Sequence, residues 1–75
     1  MQEEISARIQ AQIDAVSIRV EVDGDRAVIE VVSDQFADMS RVKKQQTVYA
    51  CIEDLIADGR LHAVTIRAEA PQQDG

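Results

Sequence analysis

The chain has 75 residues, 45% of them apolar, which suits one small folded domain and is too apolar for a disordered tail. A formal net charge of -6 and only 3% aromatic residues exclude a chain-wide attraction for phosphate and leave few platforms for stacking bases. The single cysteine, Cys51, rules out an internal disulfide, and no apolar run approaches the roughly 18–20 residues that cross a bilayer. The first residues, Met1-Gln2-Glu3-Glu4, carry neither the basic segment nor the apolar run of a signal peptide, so a cytoplasmic protein without membrane contact is expected.

Ile5, Ile9, Ile13 and Val16 form one apolar stripe, which predicts an amphipathic helix over about 3–14 with Glu3 and Glu4 at its positive end. Period two follows: Ile18, Val20 and Val22 alternate with Arg19, Glu21 and Asp23, the pattern of a half-buried strand. Asp23-Gly24-Asp25 signals a turn, and Val28-Ile29-Glu30-Val31-Val32 completes a hairpin with Ile29 and Val31 inward. Residues 33–40 connect, with a short helical turn around Phe36; Phe36 and Met39 read as core anchors. Ser40 is the expected N-cap of a long helix over about 41–58, whose buried stripe is Val48, Cys51, Ile52 and Leu55. Gly59 stands where a left-handed C-terminal cap is wanted. A third strand is expected from Leu61 to Ala68, with His62, Val64 and Ile66 on one face.

The fold class is therefore α+β in the order α-β-β-α-β, a three-stranded sheet with both helices packed on one face. One domain is expected over 1–75, its tail from about 71 flexible.

No nucleophile–base signature, paired-carboxylate motif, P-loop or dinucleotide fingerprint is present, so a non-enzymatic protein is expected. One His and one Cys cannot supply a four-ligand zinc or iron–sulfur site. His62 reads either as a structural imidazole at the rim of the sheet or as an exposed metal ligand. Cys51, on the apolar stripe, reads as a small buried hydrophobe. Arg41, Lys43 and Lys44 oppose the dipole of the helix they begin, and Lys43 takes the position where Glu would complete a capping box with Ser40. A solvated face is the plain account of such a cluster; an anion or acidic partner is the functional one.

The run Met39-Ser40-Arg41-Val42-Lys43-Lys44-Gln45-Gln46-Thr47-Val48-Tyr49 resembles the signature segment of the BolA/IbaG family, IbaG-type branch. Ile56-Ala57-Asp58-Gly59-Arg60-Leu61-His62-Ala63-Val64-Thr65-Ile66 resembles that family's helix end and third strand, and the likeness covers about residues 16–68. The resemblance implies a BolA-like topology related to class II KH domains. It further implies partnership with a monothiol glutaredoxin, in which His62 is a ligand of a [2Fe–2S] cluster shared with the glutaredoxin and glutathione. Many members carry a second His or Cys in the hairpin loop. That position falls here at Arg26, leaving Asp25 or an exogenous thiol to take its place. Some members are described as transcriptional regulators, so DNA binding through Arg41, Lys43 and Lys44 is the alternative. A KH domain's Gly-x-x-Gly loop is lacking. Alone, the chain is expected to be a monomer or weak homodimer.

Overall fold

The computed structural model describes residues 1–71. Helix α1 (Gln2–Gln12) buries Ile5 and Ile9, one turn apart, against the sheet. It stops two residues before the expected end because Ile13 already has extended backbone (φ -127, ψ 128). Helical spacing then no longer governs, and Val16, expected on the same stripe, is 67% exposed. Its N–H instead donates to the Val32 carbonyl at 2.7 Å and starts the sheet.

Strands β1 (Ser17–Asp23) and β2 (Arg26–Val32) pair antiparallel. Gly24 takes a left-handed φ of 62°, which glycine adopts without a Cβ penalty, so the turn closes on Gly24 and Asp25 alone. Arg26, expected in the loop, consequently opens β2 opposite Asp23. The connector holds a 3-10 turn at Asp34–Phe36 that drives the Phe36 ring into the core, with Met39 packed beside it. Ser33 is the buried polar residue at this end. Its hydroxyl donates to the Asp14 carbonyl (2.7 Å) and accepts from Gln35 N–H (3.2 Å), so its burial leaves no bond unmade.

Helix α2 (Arg41–Ala57) starts as the sequence predicts: the Ser40 hydroxyl accepts from Lys43 N–H at 3.1 Å. Val48, Cys51, Ile52 and Leu55 are buried, and Gly59 (φ 85°) reverses the chain after the last turn. Leu61 is fully buried in the link, and β3 (Ala63–Glu69) begins two residues later than expected, placing His62 ahead of the strand. β3 runs parallel to β2, giving sheet order β1-β2-β3.

Both helices lie on one face, over three cross-strand rows: Val22-Ala27-Val64, Val20-Ile29-Ile66 and Ile18-Val31-Ala68. The other face is open, and its polar ladder includes Arg19, Glu30 and Arg67 side by side. Of the flexible tail expected from about 71, residues 72–75 lie outside the described residues.

Candidate functional site

The hairpin turn, the end of α2 and the start of β3 meet at one end of the molecule. The Asp25 carbonyl accepts the backbone N–H groups of His62 (2.8 Å) and Ala63 (3.4 Å), which fixes the lead-in to β3 against the turn. The Asp25 carboxylate then reaches His62 Nδ1 at 2.8 Å. A carboxylate accepts, so in the neutral ring Nδ1 carries the proton and Nε2 keeps the lone pair. This carboxylate–imidazole pairing is how ligating histidines are oriented and their tautomer selected. The His62 side chain is 67% exposed, so the oriented ring is open to a partner. A Cβ built on Gly59 would stand 3.9 Å from Nε2, an ordinary van der Waals distance, so the residue that caps α2 lies beside the ring.

The other sequence candidates lie elsewhere. Arg41, Lys43 and Lys44 occupy the opposite end of α2, and none of them forms an ion pair among the described residues. Arg26 stays near the turn as the first residue of β2. Cys51 is buried between the helices; burial pushes its thiol pKa up, and its sulfur lies 3.5 Å from the Thr47 carbonyl. It is a packing residue and not a ready thiolate. Sequence reasoning had no signal for Gly59 as the neighbour of Nε2, nor for Asp25 as the group that orients the ring.

Among the described residues, no three His, Cys, Asp or Glu side chains are grouped to hold a metal ion. What the site offers is one exposed imidazole held through Nδ1 by Asp25, a donor set that could give a metal no more than a single nitrogen ligand.

Residues 24–73 match the family model described as BolA-like protein. The chain belongs to the BolA family. A relative in Escherichia coli (strain K12) described as acid stress protein IbaG is 40% identical over 70 residues, covering 93% of this chain and 83% of that one. The BolA domain of SufE1 from Arabidopsis thaliana superposes with a TM-score of 0.85 at 27% identity, covering 93% and 91% of the two chains. BolA1 from Arabidopsis thaliana gives a TM-score of 0.84 at 22% identity over 99% and 95%, and shares the fold. These likenesses establish the BolA-like α-β-β-α-β architecture expected from the sequence. Among the described residues of this BolA-family chain, no helix is long and apolar enough to cross a membrane.

Proposed function

We propose that the protein is a cytoplasmic, non-enzymatic partner of a monothiol glutaredoxin, supplying His62 Nε2 to a [2Fe–2S] cluster that the two proteins and glutathione hold in common. The cluster is cargo, and the role is in iron–sulfur trafficking or iron homeostasis. The observation that carries this reading is the 2.8 Å pairing of Asp25 with Nδ1 of a largely exposed ring. A restrained imidazole loses less freedom on coordinating than a freely rotating one. Neutral imidazole in place of a thiolate also removes negative charge from a cluster, which raises its potential. Asp25 belongs to the same site through His62, and Arg26 adds a cation nearby.

The rival use of the chain is duplex DNA binding through Arg41, Lys43 and Lys44, cations without ion-pair partners among the described residues. Three such cations in a chain of net charge -6 are a weak basis for phosphate-backbone affinity.

Mixing the protein with cluster-loaded monothiol glutaredoxin is expected to change the visible circular dichroism. His62→Ala should abolish that change, and Asp25→Asn should weaken it by about tenfold in midpoint concentration, the usual cost of losing a ligand's orienting partner. Spectra indifferent to His62→Ala would remove the ligand assignment.

A further inference from the structure

The β3 strand is an edge of the sheet, and the alternation of its backbone shows which groups are unclaimed. Ala63 N–H bonds to Asp25 and the Glu69 carbonyl to Ser33, so the odd-numbered residues face β2. Val64, Ile66 and Ala68 therefore turn their N–H and C=O groups outward. The Ile66 carbonyl is taken by the Gln45 side chain, whose Nε2 donates to it at 2.7 Å. The amide stands in for the donor that an added strand would supply at the same point.

A groove runs along this edge beside α2 in two stretches that share Gln45 and Ile66. One stretch, about 410 Å³, is lined by Arg41, Lys44 and Arg67, with Glu69 the one acid among the described residues that line it. The other, about 370 Å³, is floored by Val64 and Ile66 and flanked by Tyr49, which is 40% exposed. Arg67 shares Glu30 at 3.6 Å on the open face, while Arg41 and Lys44 have no ion-pair partner among the described residues. In a chain with 14 acidic and 8 basic residues, two cations without ion-pair partners among the described residues line the same stretch of this edge.

We propose that this groove docks an extended acidic segment of a partner protein, which adds to β3 as a fourth strand after displacing the Gln45 amide. Backbone pairing with Val64, Ile66 and Ala68 supplies generic affinity, as in strand addition elsewhere. Arg41, Lys44 and Arg67 select acidic residues at one end, and the Tyr49 side takes an apolar residue at the other. A second copy of this chain is the poorer occupant because each edge strand it could offer, β1 or β3, is itself capped at its centre by a glutamine amide. The inference does not rest on the reading of His62, and its test uses no metal and no glutathione.

The probe is a synthetic peptide of about eight residues, alternating valine with aspartate or glutamate and ending in phenylalanine. It is titrated into the isotopically labelled chain and followed by amide NMR. Shifts are expected at Val64, Ile66, Ala68 and the Gln45 side-chain amide, with slowed exchange at the three backbone positions. Arg41→Glu with Lys44→Glu should weaken binding at least about fivefold, an effect that fades with added salt. Gln45→Ala should bind as well or better, since no amide has to be displaced. Four outcomes would overturn the proposal: no perturbation of these residues at about 1 mM peptide; equal binding of the lysine-substituted peptide; shifts confined to β1 or the open face; or stronger perturbation of the same residues by duplex DNA at physiological salt. Concentration-dependent shifts at β3 without any peptide would give the groove to a second copy instead.

Discussion

At the β1 edge the Gln2 side-chain amide donates to the Val20 carbonyl, and at the β3 edge the Gln45 amide donates to the Ile66 carbonyl, each at 2.7 Å. Val20 and Ile66 belong to one cross-strand row, joined through Ile29. The fold therefore blunts both exposed edges by the same device, a helix-borne glutamine spent on one carbonyl. The charges around the two differ. β1 carries Glu21 and Asp23, with its Arg19 paired to Glu21 and Glu30, whereas β3 is flanked by Arg67, which shares Glu30, and by Arg41 and Lys44, which have no ion-pair partner among the described residues. Since the same glutamine bond is present in either electrostatic setting, the basic setting at β3 is not what caps the edge. That is the reason to read it as recognition.

The largest perturbation acts on both edges at once. Ile29 is fully buried at the centre of the shared row, so Ile29→Ala should cost about 2–5 kcal/mol through lost contacts and the cavity left behind. Denaturant unfolding measures the loss, and hydrogen exchange should show the amides of both edge strands deprotected together. Exchange that rises on one side only would mean the edges are energetically separate.

A smaller effect should separate them. α1, which bears Gln2, is clamped to α2 by Arg8, whose guanidinium bonds Glu4 at 2.9 Å and Asp54 at 2.6 Å, while Arg60 reaches Glu4 at 3.3 Å. The Arg8 hydrogen bond, helped by the charges of Arg60 and Arg8, holds Glu4 below its ordinary 4.5. At Asp54 desolvation pushes upward, but the hydrogen bond and charge of Arg8 outweigh it and hold the carboxyl below 3.8. Carboxylates with folded-state pKa values below their unfolded ones stabilise fully above those unfolded values. That stabilisation disappears as pH falls from about 4.5 through the lowered values. Stability should fall over this acid window, and Arg8→Ala should flatten the fall; an unchanged pH profile in the variant would show that the clamp is only a surface ion pair.

The smallest effect concerns the basic end alone. Lys43→Glu completes a capping box with Ser40 and agrees with the helix dipole, so it should raise stability by a few tenths of a kcal/mol to about 1. A shifted unfolding midpoint with an unchanged slope checks it. A destabilised variant would mean that Lys43 serves the fold after all.

Much of this was legible from local periodicity. The alternation in Ile18, Val20 and Val22, the pair Ile29 and Val31, and the helical spacing of Val48, Cys51, Ile52 and Leu55 each specify a buried face. Ser40 and Gly59 bracket α2 as their chemistry requires. Val16 misled because no Gly or Pro marks the exit from α1, so an apolar residue one turn on looked helical. The roles of Gln2 and Gln45 were invisible for a different reason: a glutamine on a helix reads as a solvated face until the neighbouring strand edge is known. At the candidate site, the exposed imidazole and the nearby turn were legible. The contact between Asp25 and His62 joins residues 37 apart, and no local pattern encodes it.

The parallel pairing of β2 with β3 sets an order of events in the folding chain. The β1–β2 hairpin joins sequence neighbours, but β3 reaches its place only after α2 has spanned the distance back, and closing that loop is the slower entropic step. His62 is therefore expected to acquire its orientation late, when the last strand zips onto the sheet. A nascent or partly unfolded copy would leave the same histidine swinging freely, without the Asp25 contact. An oriented imidazole then doubles as a report that maturation is finished.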